Sequence, residues 1–249
     1  MEGGYDGVSD RRQEQSSDMH IAVMGVTGAG KSSFISLLSD ERPTIGHTLE
    51  ACTQHVTQYS CTIIPGRNVY LIDTPGFDDT NRSDTEVLRE LAHWLTTSYA
   101  NDIKLTEIIY FHRISDVRMP GSAVRNILMF KKLCGEHALK HVVLATSMWD
   151  KVSEDEGVKR EKDLVERPEW WGGMINKGSR MFRHRGDRAS AERLLKQFLS
   201  VAAPTVLHLQ RQMVDEEMRL DQTSAGIELE HVLAREREKF QRELSEAKE

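Results

Sequence analysis

The stretch Gly25-Val26-Thr27-Gly28-Ala29-Gly30-Lys31-Ser32 satisfies the spacing G-x-x-x-x-G-K-[ST] at every defined position. These residue types suit one task, the wrapping of backbone around an anion. Gly25, Gly28 and Gly30 let the chain bend close to a phosphate with no Cβ in the way. The N–H groups of such a loop, and the positive end of a helix that follows it, face the negative charge. Lys31 adds a full charge for the β- and γ-phosphates. The Ser32 hydroxyl is a ligand for Mg2+, an ion that keeps most of its waters. Thr27, Ala29 and Ser33 count with them as nucleotide-contacting positions.

A second constellation is Asp73-Thr74-Pro75-Gly76, which closes the apolar run Val69-Tyr70-Leu71-Ile72. An acidic residue at the end of a buried strand, followed by a glycine turn, complements a phosphate loop. Asp73 suits Mg2+ through water, and the Gly76 amide suits a γ-phosphate that it releases on hydrolysis. A third is Thr146-Ser147-Met148-Trp149-Asp150-Lys151, after the apolar run His141 to Ala145. The Asp150 carboxylate suits the N1–H and N2–H2 donors of guanine, which adenine lacks, and Ser147 stands beside it as a second polar group.

These groups meet only if the chain between them folds into alternating strands and helices. Met19 to Met24 reads as a buried strand and Ser33 to Leu38 has helical spacing, so the glycine loop lies between strand and helix. His55 to Ile64 is rich in β-branched residues and turns through Pro65-Gly66-Arg67-Asn68 into Val69 to Ile72, an antiparallel hairpin at a sheet edge. Ser83 or Asp84 caps a helix whose stripe is Val87, Leu88, Leu91, Trp94 and Leu95. Glu107 to Ile114 is a strand with His112 and Arg113 at its polar end, either a satisfied pair or a pair facing a partner. Pro120-Gly121 opens the next helix and Gly135 stops it. Glu154 to Glu166 is a charged helix broken at Arg167 to Gly173, where Trp170 and Trp171 cover the core. Met174-Ile175 and Ser179 to Phe182 read as parts of the last strand, His184 to Asp187 as a loop closing over a base, and Ala189 to Ala203 as the final domain helix. From Thr205 the spacing suggests helices of coiled-coil type, broken near Ser224-Ala225-Gly226, that either self-associate or pack back on the domain.

The expected architecture is therefore α/β: a three-layer sandwich with a mostly parallel sheet, one antiparallel edge strand and a C-terminal helical extension. Residues 1–18 read as a polar, disordered leader, 19–203 as the nucleotide-binding domain and 204–249 as the extension. A net charge of −6 argues against a general nucleic-acid binder. Cys52, Cys61 and Cys134 have no metal-site spacing and fit reduced thiols in a cytoplasmic protein. No apolar run reaches the length of a membrane span.

With GVTGAGKS, DTPG and TSMWD in order, the chain resembles translation-factor-type P-loop GTPases over about residues 19 to 203. It is most similar to the septin-like branch that includes the immunity-associated nucleotide-binding proteins and the chloroplast import GTPases, and within it to fungal-type G domain-containing proteins. The resemblance implies GTP/GDP and Mg2+ as ligands, and a switch or assembling scaffold with slow GTP hydrolysis. It maps Lys31 and Ser32 to the phosphate and Mg2+ positions, Asp73 and Gly76 to the second switch, and Asp150 to the base-reading carboxylate. Ser147 stands where such proteins carry Asn, and Met148 where they carry Lys. Thr53 matches the switch threonine that caps Mg2+, with Thr48 as the alternative; Lys31, Thr53 and Gly76 make the catalytic set. Phe77 replaces the Gln that often orients the attacking water. Hydrolysis is then slow alone or completed by a partner, with Arg82 and His47 as candidates and a homodimer across the nucleotide face as the analogy. The rivals are an ATP-using P-loop enzyme and a non-hydrolysing module that works through coiled-coil partners of its C-terminal helices.

Overall fold

The computed structural model describes residues 18–41, 55–63, 66–79, 82–200 and 203–246. His47, Thr48, Thr53 and Cys52 lie outside the described residues, as does the expected leader apart from Asp18.

Six strands form one sheet in the order β2-β3-β1-β4-β5-β6. They are β1 (Met19–Gly25), β2 (Thr57–Cys61), β3 (Val69–Asp73), β4 (Glu107–Arg113), β5 (Val142–Ser147) and β6 (Arg180–Arg183). Only the β2–β3 pair is antiparallel, and β2 lies at the edge, as the hairpin reading expects. The central strands are buried on both faces, which explains their near-continuous apolar runs. Helices α1 (Lys31–Ser36), α2 (Asp84–Ala100), α3 (Gly121–Cys134), α4 (Glu154–Glu166), α5 (Gly173–Ile175), α6 (Arg188–Lys196), α7 (His208–Gln210) and α8 (Ser224–Glu246) complete the chain. Two apolar cores, one on each sheet face, make the three layers. Phe34, Ile35, Leu194 and Leu195 from α1 and α6 fill one core. Val87, Leu91, Ile127 and Phe130 from α2 and α3 fill the other.

Local signals set several boundaries. Ser83 and Glu86 form a reciprocal capping box at the start of α2, and Ser153 and Glu156 do the same for α4. The last strand is shorter than its expected reach. Met174 and Ile175 sit in α5, not in a strand. The turn there is too tight for side chains: a Cβ on Gly172 would lie 2.5 Å from the Val165 carbonyl oxygen, and one on Gly173 2.5 Å from that of Pro168. Apolar residues next to a glycine pair look alike in a strand and in such a turn. The final domain helix is likewise shorter than Ala189 to Ala203, ending at Lys196 before a 3-10 turn over Gln197–Ser200.

The break expected near Ser224-Ala225-Gly226 is instead the beginning of α8. Thr223 is the cap: its Oγ1 accepts a hydrogen bond from the Gly226 N–H at 3.1 Å and donates to the Leu220 carbonyl. Gly226 is required there, since a Cβ would lie 2.0 Å from the Leu220 oxygen. Of the two alternatives for the tail, its first half packs back. Leu207, Leu209, Ala225 and Leu229 join the core under α2 and α3. Thr205 bridges to Leu105 through a 2.7 Å backbone hydrogen bond. No helix among the described residues is long and apolar enough to cross a membrane.

Candidate functional site

Because β1, β3, β4, β5 and β6 run parallel, their C-terminal ends meet at one edge of the sheet. That edge collects Gly25, Asp73, Arg113, Ser147 and Arg183. An open α/β sheet binds its ligands there.

The glycine loop joins β1 to α1. Gly25 has φ +136° and a Cβ on it would lie 2.4 Å from the Phe111 carbonyl oxygen, so no other residue fits against β4. Gly30, at φ +88°, turns the chain into α1. Lys31 is buried, and its Nζ donates to the carbonyls of Gly25 at 3.2 Å and Val26 at 3.1 Å, folding the side chain back across the loop. Burial pushes its pKa from 10.5 down to about 8, against the pull of Asp73 and Asp79. A buried lysine folded across a glycine-rich loop at the C-terminal edge of the sheet suits an anion. Further along α1, Ser33 is exposed.

Ser32 and Asp73 come together from α1 and the end of β3. The Ser32 hydroxyl donates to Asp73 Oδ2 at 2.6 Å, beside Lys31. A hydroxyl and a carboxylate in contact, next to a phosphate seat, fit a Mg2+ held by one protein hydroxyl and, through water, one carboxylate.

The Asp73-Thr74-Pro75-Gly76 turn is fastened to this loop. Thr74 Oγ1 donates to the Val23 carbonyl at 2.8 Å. The Thr27 N–H donates to the Phe77 carbonyl at 2.8 Å. A Cβ on Gly76 would lie 2.4 Å from Thr27 Oγ1, so glycine is what allows the two loops to touch. The Thr27 hydroxyl is buried and finds no hydrogen-bond partner among the described residues, facing the place where the two loops meet. Phe77 points away, 2% exposed in the core beneath α2 and α3.

At the other end of the edge, Ser147 is buried and donates to the Ala29 carbonyl at 2.8 Å and the His112 carbonyl at 3.3 Å. It thus ties the loop after β5 to the glycine loop. Met148 takes a left-handed conformation, φ 60°, and its Cε lies 3.7 Å from where a Cβ on Gly30 would stand. Trp149 is buried, donates from Nε1 to Thr146 Oγ1 at 3.0 Å, and carries the Arg183 and Arg185 guanidinium groups over its ring at 4.7 and 4.6 Å. Asp150 is exposed, its carboxylate 3.2 Å from Lys151. The segment from His184 begins beside it through a 2.8 Å bond from the His184 N–H to the Thr146 carbonyl.

The structure brings Gly25, Thr27, Gly28, Ala29, Gly30, Lys31, Ser32, Asp73, Gly76 and Ser147 into one cluster, while Asp150 is exposed on the segment after β5 with Lys151 as its partner. It also separates His112 from Arg113, read as a pair from sequence. Successive strand residues point to opposite faces. His112 is buried edge-on to Trp171, where desolvation lowers its pKa to about 4. Arg113 lies over Gly28. The signal for this was the parallel register, which sets Arg113 opposite Ser147.

Residues 20–122 match the family model described as 50S ribosome-binding GTPase. No curated protein matches the chain. Among solved structures, Toc33 from Arabidopsis thaliana in complex with GDP and Mg2+ is 18% identical, with a TM-score of 0.58 over 76% of this chain and 86% of that one. A second structure, described by the finding that dimerization is important for the GTPase activity of the chloroplast translocon components atToc33 and psToc159, is 17% identical. Its TM-score is 0.61 over 78% of this chain and 86% of that one. A point variant of Era from Aquifex aeolicus bound to GDP·AlF4− is 13% identical, with a TM-score of 0.51 over 75% of this chain and 57% of that one. The chain has the P-loop GTPase fold, and residues 20–122 of it are similar to that GTPase family model.

Proposed function

We propose that this chain binds Mg2+·GTP at the loop 25–32 and hydrolyses it slowly, acting as a nucleotide-controlled switch or assembling scaffold of the septin-like branch. The observation that carries the reading is the convergence of Lys31, the Ser32–Asp73 pair and Gly76 on one glycine-rich loop. The GDP and Mg2+ in the Toc33 structure support the same ligands here.

In this reading Lys31 gives up its contacts to the Gly25 and Val26 carbonyls and turns to the phosphates. Ser32 and, through water, Asp73 would hold Mg2+, which would supply charge neutralisation at the phosphate oxygens. Thr53, outside the described residues, would be a further Mg2+ ligand. Gly76, held against Thr27, offers its amide to the terminal phosphate. Thr27, Gly28, Ala29, Gly30 and Ser33 supply the cradle. Asp150 accepts the guanine N1–H and N2–H2 donors, while Ser147 keeps the base loop in register with the phosphate loop.

Phe77 argues for slow turnover. Its ring is in the core, and a phenyl group has no hydrogen bond to offer an attacking water. A second protomer across the nucleotide face would supply what is missing, and the role of dimerization in the GTPase activity of atToc33 and psToc159 supports that expectation. The same Phe77 burial favours a second reading, a non-hydrolysing module locked by its nucleotide and working through partners of α8. The reading includes a cytoplasmic location. Phosphate release measured across protein concentration separates the two. Turnover per protomer that rises with concentration supports a GTPase completed by pairing, and tight GTP binding without release at any concentration leaves only the locked module.

A further inference from the structure

The phosphate loop holds one cation by its own motif, Lys31. A second cation reaches it from another strand. Arg113 ends β4, and its Nη1 lies 3.2 Å from where a Cβ on Gly28 would stand. Gly28 is exposed in the middle of the loop at φ +75°, so the guanidinium lies against bare backbone on the loop's open side.

The other end of the same fork is anchored. Arg113 Nε donates to Asp116, at 3.1 Å from Oδ1 and 3.2 Å from Oδ2. Asp116 is itself tethered by a turn, its N–H bonded to the Arg113 carbonyl. The ion pair is therefore made through Nε, and the planar group is set with its Nη1 end toward Gly28. Such a pre-set fork suits paired oxygens of a phosphate.

We propose that Arg113 is a second, intramolecular phosphate-binding cation, reaching the polyphosphate of the bound nucleotide over Gly28 while Asp116 aims it. The proposal rests on the reading of the loop as a guanine-nucleotide site and assigns the group that adds to Lys31 in holding the charge of the phosphates.

The test is calorimetric titration of the full chain with GDP in the presence of Mg2+, comparing wild type with Arg113→Ala, Arg113→Lys and Asp116→Asn. Losing a charge-assisted bond to phosphate weakens GDP binding by about 10- to 100-fold in Arg113→Ala. Arg113→Lys recovers part of that loss, because the charge remains and the fork does not. Asp116→Asn loses part of the affinity, less than Arg113→Ala, since a neutral amide accepts from Nε more weakly than the carboxylate does. Melting without nucleotide verifies that each variant is folded. Arg113→Ala binding GDP as tightly as wild type overturns the inference. A wild-type chain that binds no guanine nucleotide refutes the underlying reading instead.

Discussion

On the proposed reading, Lys31 makes nucleotide binding a proton-linked event. The ammonium is buried with its Nζ on the Gly25 and Val26 carbonyls, and burial lowers its pKa from 10.5 to about 8 against the pull of Asp73 and Asp79. A bound polyphosphate restores the preference for the charged form, so binding draws a proton from solution wherever the free site has begun to lose its own. With a free-site pKa of about 8, uptake is about one tenth of a proton at pH 7 and about half a proton at pH 8. Affinity for GDP falls as pH rises above 8, approaching about tenfold per pH unit until the bound pKa is reached. The stability of the unliganded chain moves the other way. The penalty for the buried charge is complete below pH 8 and vanishes above the unfolded value of 10.5. Between those limits unfolding becomes harder by up to about 3 kcal/mol. The assay is calorimetry of GDP binding at pH 7 and pH 8, in two buffers with different heats of ionisation. At pH 8 the polyphosphate is already ionised and the guanine N1–H is still in place, so the ligand contributes little. Lys31→Arg, charged at every accessible pH, abolishes the uptake. Absence of uptake at pH 8 in wild type, or equal uptake in Lys31→Arg, refutes the reasoning.

The packing and the site set five further outcomes. Gly76→Ala drives a methyl group into Thr27, where the ideal Cβ lies 2.4 Å from Oγ1, so the loops separate and preference for GTP over GDP falls when both are titrated. Ser147→Ala removes the hydrogen bonds to the Ala29 and His112 carbonyls, lowering unfolding free energy by about 1–2 kcal/mol in a urea titration. Leu207→Ala, in the core beneath α2 and α3, costs about 2–5 kcal/mol by the same assay. Truncation after Pro204 therefore lowers the melting temperature as well as altering association. Asp150→Asn shifts preference from guanine toward xanthine nucleotides in competition binding, because the amide donates where the carboxylate accepts.

The parts legible in the sequence are those where one residue type is forced. Gly25 against Phe111 and Gly76 against Thr27 leave no room for another residue, and the Ser83–Glu86 capping box draws on the few residue types that can cap a helix. The parallel strands announced themselves because burial on both faces demands unbroken apolar runs. What stayed hidden depends on neighbours far along the chain. Gly226 reads as a breaker until Thr223 is seen to cap the helix that it enters. Met174 and Ile175 read as strand because nothing local reveals the carbonyls that Gly172 and Gly173 must clear. At the site, Asp73 was legible from its turn, but the reach of Arg113 to Gly28 exists only once β4 is laid beside β1. Phe77 showed what was absent from the sequence position, and the fold added where its ring goes.

The central claim is a guanine-specific, Mg2+-dependent nucleotide site at the C-terminal ends of the parallel strands. Displacement of a fluorescent guanine nucleotide by GTP, GDP and ATP, with Mg2+ and again with EDTA, tests it most directly. The expected result is displacement by GTP and GDP, none by ATP even at about a hundredfold excess, and weaker binding in EDTA. Equal displacement by ATP, or no binding of the guanine probe at all, would contradict it.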